Sequence, residues 1–168
     1  MSLSMYQASV PGFIRILQNL TAILAKAEAH ATTKKIDLAV FVNARLAPDM
    51  LPLARQIQIA TDAVKGCAAR LAGVDVPSYA DTETTFPELK ERIAKTIAFL
   101  ETFKPEQIDG SEDKVVTLKL GGKDTDFKGQ PYLLHFVIPN FYFHVAMTYA
   151  LLRHNGVDIG KMDYLGPR

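Results

Sequence analysis

The chain is poor in cysteine, and this scarcity limits how it can be stabilised. Cys67 is the single cysteine among 168 residues, so an internal disulfide is excluded and a hydrophobic core must hold the fold together. A catalytic thiol needs a nearby histidine or a helix N-terminus, and the sequence around Cys67 offers neither. We therefore expect a small buried thiol at this position.

The chain also lacks an excess of charge and a long hydrophobic run. With 19 basic and 18 acidic residues, it has no electrostatic reason to bind nucleic acid or an anionic membrane. The apolar stretches are too short to cross a bilayer, and the first residues do not have the pattern of a secretory signal. A hydrophobic content of 48% excludes intrinsic disorder. We expect one cytoplasmic domain that spans residues 1–168.

Four segments show apolar residues at the spacing of an amphipathic helix. They cover residues 10–32, 48–71, 86–103 and 139–155. Thr85 and Glu88 have the spacing of a capping box before the third helix, and Gly156 follows the fourth as a typical helix terminator. The charged residues of the third helix, including Arg92, form its expected solvent face. The pattern predicts an all-α four-helix bundle.

Between the third and fourth helices the apolar period changes from helical to alternating. The stretch "KVVTLKL" reads as one strand, "GGKDTDFKGQP" as a turn, and "YLLHFVI" as a second strand, which together predict a small β-hairpin inserted in the bundle. A lone hairpin is only marginally stable in water. It should therefore pack on the bundle or pair with another chain.

Two polar residues interrupt the apolar fourth helix, Asn140 and His144, one helical turn apart. A buried imidazole needs partners for both ring nitrogens, and a side chain four residues away is its helical neighbour. Ordinary polar packing, a working polar pocket and the remnant of a metal site all remain open. An imidazole with a neutral amide is a poor ligand pair for zinc.

The second helix offers polar partners for His144. Gln56 is adjacent to the apolar stripe and is expected to point inward, whereas Gln58 lies on another face and is expected to be exposed. Asp62 could orient His144 or could be solvated. His135 is a weaker candidate because it precedes the fourth helix closely. Tyr142 is another weaker candidate, as an amphipathic residue whose hydroxyl seeks a partner.

The segments "SMYQASVPGF", "ARLAPDMLPLARQIQIATD", "RLAG" and "PNFYFHVAMTYALLRHNGVDIGKMDYLG" resemble a bacterial family of unknown function within the DinB/YfiT-like four-helix bundles, a metalloenzyme superfamily. The resemblance covers nearly the whole chain. It implies a divalent metal, nickel or zinc, held by one histidine of the second helix and an HxxxH pair of the fourth. The matching positions are Gln56, Asn140 and His144, so two of the three ligands are replaced by amides.

Three functions are compatible with this pattern. The first is a homodimeric bundle that binds an unidentified small molecule in a polar cavity around Gln56, Asn140 and His144, with no cofactor and no tightly bound metal. The second function, which is the main alternative, is a metal-dependent, thiol-linked transferase or hydrolase of the DinB/YfiT type. In this enzyme His144 is the single imidazole ligand or a general base, helped by His135 or Asp62. The third is a structural or regulatory protein whose hairpin forms an intersubunit contact.

Overall fold

The computed structural model describes residues 3–167. Four long helices dominate the structure: α1 (Val10–Lys34), α3 (Leu53–Ala72), α4 (Phe86–Glu101) and α7 (Ile138–His154). Each of α1 and α3 packs against both α4 and α7, which is the neighbour pattern of a four-helix bundle. The predicted fold class is therefore confirmed.

Shorter elements connect the long helices. They are α2 (Leu38–Val42), α5 (Pro105–Ile108), β1 (Val115–Leu120), β2 (Lys123–Lys128), α6 (Gly129–Pro131) and α8 (Lys161–Leu165). Between α6 and α7 the backbone winds as a π-helix over Tyr132–Val137. Within residues 3–167, none of the helices combines the length and the hydrophobicity that a membrane-spanning segment needs.

The core lies between the apolar stripes of the four long helices, as the helical spacing predicts. Phe13 of α1 and Phe141 of α7 meet edge to face with ring centroids 5.2 Å apart, a favourable aromatic geometry. Cys67 is fully buried in α3, and this burial raises the pKa of its thiol, as expected for an unreactive core cysteine.

The ends of the helices follow the local sequence signals. Thr85 accepts a hydrogen bond from the backbone N–H of Glu88, whose carboxylate accepts one from the N–H of Thr85, so the predicted capping box is present. Gly156 has a φ of 89° after α7, a conformation that favours glycine.

The inserted β-hairpin exists, but its second strand lies earlier in the chain than we expected. β1 pairs with β2 in an antiparallel register that places Val116 opposite Phe127. Val116 and Leu118 are buried against the bundle. The assignment of "YLLHFVI" as a strand was wrong, because Tyr132–Val137 form the π-helix and Ile138 begins α7. A short apolar run does not distinguish a strand from a buried helical segment.

The C-terminal residues form an ordered strap across α1. Asn19 donates a hydrogen bond of 3.0 Å to the carbonyl of Tyr164, and the Arg15 guanidinium donates one of 2.8 Å to the carbonyl of Pro167. Lys26 pairs with Asp163 at 2.6 Å. These contacts fix α8 to the outer face of α1.

Candidate functional site

The structure joins two of the predicted site residues, Gln56 of α3 and His144 of α7. The Gln56 Oε1 atom lies 2.7 Å from the His144 Nδ1 atom. Both side chains are buried, with Gln56 2% and His144 8% exposed. This contact joins α3 to α7, and its two residues are 88 positions apart in the sequence.

The hydrogen-bond pattern determines which ring nitrogen of His144 carries the proton. The Gln56 amide Nε2 donates to the carbonyl of Leu51 at 2.9 Å, so the amide oxygen faces the imidazole. An amide oxygen only accepts hydrogen bonds, and Nδ1–H of His144 must therefore be the donor. In the neutral ring Nε2 is then an acceptor, and no hydrogen-bond partner of Nε2 occurs within residues 3–167.

Burial lowers the pKa of His144, because a charged imidazolium is poorly solvated in the interior. The side chain is consequently neutral at pH 7. The exposed ring of Phe143 meets the imidazole edge to face at 5.2 Å. The site thus combines a neutral acceptor nitrogen with an aromatic surface.

Asn140 precedes His144 by one turn of α7 and is partly buried. Its side chain forms no hydrogen bond within the described part of the chain, so its amide is free to meet a ligand. The other candidates do not join this pair. His135 is exposed on the π-helix, and Tyr142 faces a different space, beneath the C-terminal strap with Tyr164.

The residues present do not fit the three-histidine metal site that the resemblance implies. His144 is the single imidazole, and Gln56 already uses its amide in bonds to Leu51 and His144. Residues 3–167 contain no group of three or more His, Cys, Asp or Glu side chains placed to hold a metal ion. Neutral amides are weak ligands for zinc and nickel compared with imidazole, thiolate or carboxylate.

A second polar cluster, which the helical periodicity did not predict, lies on the other side of α3. We call it the Arg92 cluster; it consists of Arg55, Gln58, Thr61, Asp62, Lys65, Tyr79, Asp81, Glu83 and Arg92. It connects α3, α4 and the loop of residues 73–85. The expected exposure of Arg92 was wrong, because its side chain is only 1% exposed.

Arg92 is buried because a hydrogen-bond or ion-pair partner meets each of its guanidinium nitrogens, although Nη2 makes no hydrogen bond within residues 3–167. Its Nη1 donates to Glu83 at 3.0 Å and to the carbonyl of Ala80 at 3.0 Å, and its Nε donates to Thr61 at 2.9 Å. Its Nη2 forms ion pairs with Asp62 at 2.9 Å and Asp81 at 3.1 Å. A buried charge requires such pairing.

Gln58 and Asp62 also belong to this cluster rather than to the His144 site. Gln58 is 2% exposed and donates to Glu83 at 2.8 Å, so the expectation that it is exposed was wrong. Asp62 keeps 41% of its side chain exposed and pairs with both Lys65 and Arg92. A helical pattern shows which face a residue occupies but not which loop covers that face, and the loop of residues 73–85 covers this one.

The comparisons with known proteins agree on one relationship. Residues 5–165 match the family described as a domain of unknown function, DUF1993. The chain is also similar to the crystal structure of a DinB family member protein from Shewanella denitrificans, with 41% sequence identity and a TM-score of 0.88. That similarity covers 97% of this chain and 92% of the other. No curated protein matches the chain.

Proposed function

We propose that this chain, which belongs to the DUF1993 family and shares its fold with a DinB family member, binds an uncharged small molecule between α3 and α7 without a transition metal. The binding groups are Gln56, Asn140 and His144. The observation that supports this proposal most directly is the 2.7 Å contact between Gln56 Oε1 and His144 Nδ1, which orients the imidazole.

The orientation of His144 defines the chemistry of the ligand. Its Nε2 accepts a hydrogen bond, so the ligand supplies a donor such as a hydroxyl, thiol or amine-derived N–H group. Asn140 adds an amide that can both donate and accept, and Phe143 adds apolar surface. Gln56 and Asn140 are neutral amides and burial lowers the pKa of His144, so these three residues supply no positive charge for an anion, which favours an uncharged ligand.

Loss of imidazole ligands explains why the metal would be absent. Structural zinc sites have binding free energies of about 10–16 kcal/mol in total, and replacing two of three imidazoles by amides removes several of those kcal/mol. The bundle can keep its shape without the ion, because its hydrophobic core and the Gln56–His144 hydrogen bond already hold α3 against α7.

Metal analysis of protein purified without a histidine tag tests this proposal. We expect substoichiometric zinc and nickel in the natural chain. The double variant Gln56→His/Asn140→His restores the three-imidazole set and should bind zinc stoichiometrically. The matched control is Gln18→His/Asn43→His, which adds two histidines at exposed positions and should gain no tight site.

The ligand is tested by a thermal-shift screen of hydroxyl, thiol and amide metabolites. A hit should stabilise the natural chain and lose its effect in His144→Phe, which removes the acceptor. No stabilisation by any compound would contradict the binding function.

The alternative is a metal-dependent, thiol-linked transferase or hydrolase. Stoichiometric metal in the untagged natural chain, lost in His144→Ala, would replace our proposal by this one.

A further inference from the structure

A groove beside the Arg92 cluster lies between α3 and the loop of residues 73–85. Its volume is about 340 Å³, within the range of small-molecule sites. Its polar lining comprises Asp62, Lys65, Arg70, Ser78 and Tyr79, and Val76 and Pro77 supply the apolar wall. This groove is separate from the site of His144.

The cations and carboxylates that line the groove do not balance. Asp62 is its single carboxylate, and Lys65 neutralises it at 2.7 Å. Arg92 also approaches Asp62, at 2.9 Å, but shares its charge with Asp81 and Glu83. Arg70 has no carboxylate at ion-pair distance within residues 3–167; its Nη1 donates to the Tyr132 hydroxyl at 3.2 Å. The groove therefore has an uncompensated positive charge at Arg70.

Two features hold the cations in place. Lys65 has a side chain only 4% exposed, and its Nζ lies 3.8 Å from the centroid of the Tyr79 ring, a cation–π contact that fixes the position of the side chain. Arg70 lies across the backbone at Gly66, where an added Cβ would collide with the guanidinium. The absence of a side chain at Gly66 thus permits this position of Arg70.

From these observations we infer that the groove binds the oxyanion group, carboxylate or phosphate, of a small molecule. The Arg70 guanidinium is the main anchor, since it matches the planar or tetrahedral arrangement of such oxygens. The exposed hydroxyl of Ser78 donates a further hydrogen bond, and the buried Lys65 adds positive potential. Val76 and Pro77 contact the apolar part of the ligand.

The test uses the full chain labelled with ¹⁵N and titrated with inorganic phosphate or acetate, with chloride added to keep the ionic strength constant. We expect saturable shifts of the backbone amides of residues 76 and 78–80 with at least one anion; comparison of the two titrations distinguishes phosphate from carboxylate. The variant Arg70→Gln should weaken binding by about tenfold or more, the loss expected for one charge-assisted hydrogen bond. Arg153→Gln, at an exposed arginine of α7, is the matched control and should bind as the natural chain does.

A second variant keeps the test decisive if Arg70→Gln folds poorly. Ser78→Asp places a negative charge on the exposed loop without touching the core, and it should abolish the shifts. Absence of saturable shifts with both anions would overturn the inference, as would equal affinity in Ser78→Asp and the natural chain.

Discussion

Arg92 and Glu83 are joined by two hydrogen bonds from one guanidinium nitrogen, 3.0 and 3.2 Å long, that fasten the loop of residues 73–85 to α4. The guanidinium is buried, while Glu83 keeps 14% of its side chain exposed. Loss of the cation would leave Glu83, Asp62 and Asp81 without their shared partner.

We expect Arg92→Gln to lower the free energy of unfolding by about 3 kcal/mol, the lower end for breaking a buried ion pair, because the three carboxylates still reach water. Denaturant unfolding followed by circular dichroism measures the change. Arg153→Gln is the matched control and should stay within about 0.5 kcal/mol of the natural chain. An equally small effect of Arg92→Gln would show that the cluster does not stabilise the fold.

The same cluster predicts a loss of stability in acid. Burial alone would raise the pKa values of Glu83 and Asp81, but hydrogen bonds from Arg92 and Arg55 outweigh it and hold both pKa values below 4.5 and 3.8, their ordinary values. The carboxylates of Asp81 and Glu83 therefore bind protons less readily in the folded state than in the unfolded state. Their contribution to the free energy of unfolding is present when the pH is above their ordinary pKa values, and it is lost as the pH falls through their lowered pKa values in the folded state.

Unfolding of the natural chain and of Arg92→Gln should accordingly be compared at pH 7 and pH 3. The difference in unfolding free energy between the two proteins should shrink at the lower pH, because below the ordinary pKa values the unfolded chain takes up protons on Asp81 and Glu83 that the native carboxylates beside Arg92 bind less readily. A difference that stays constant across this range would mean that Arg92 acts through packing rather than through charge.

His144 predicts a second pH dependence, in a higher window. Its pKa is lowered in the folded state by burial, so below the ordinary value of 6.5 the unfolded state takes up a proton first and stability falls. Replacement by Gln removes this titration. Between pH 8 and pH 5 the natural chain should therefore lose more stability than His144→Gln, measured by denaturant unfolding. An equal loss of unfolding free energy between pH 8 and pH 5 in both proteins would contradict a buried neutral imidazole at His144.

Replacement of glycine by alanine should have opposite effects on the stability of the fold at Gly129 and at Gly12. A Cβ at Gly129 would collide with the backbone carbonyl of Ser111, whereas one at Gly12 would meet only the Tyr142 hydroxyl at an ordinary distance of 3.9 Å. We expect Gly129→Ala to destabilise the fold by about 1–3 kcal/mol. Gly12→Ala, within α1, should stabilise it by about 0.5–1 kcal/mol. Thermal unfolding of both variants measures the contrast, and a neutral Gly129→Ala would mean that the start of α6 and the backbone at Ser111 can move apart at this point.

The hairpin is the intersubunit contact in the third of the functions that are compatible with the sequence, and it offers a testable interface for the expected homodimer. Val115 on β1 is 64% exposed, and a strand edge with exposed apolar residues favours pairing with another chain. We expect light scattering to give the mass of a homodimer at micromolar concentration and Val115→Lys to shift it toward the monomer. The exposed Val40→Lys change on α2 is the control and should leave the dimer intact. A natural chain that is monomeric would exclude this contact.

The sequence predicted the four long helices because their apolar spacing is regular over many turns. It also indicated that Gln56 points inward, since this residue borders the stripe of α3. Arg92 could not be placed in the same way, because its burial depends on Asp81 and Glu83 in a loop without periodicity. β2 was missed for a similar reason: most of its residues are charged, and Phe127 is its single large apolar residue.

The complete burial of Cys67 has a practical consequence for studying this protein. A thiolate is the species that reacts with maleimides and related reagents, and Cys67 is both shielded from solvent and hard to deprotonate. A cysteine introduced at the exposed Ser78 would therefore be the preferred site of modification without removal of the natural one. A fluorophore attached there would report on the loop of residues 73–85.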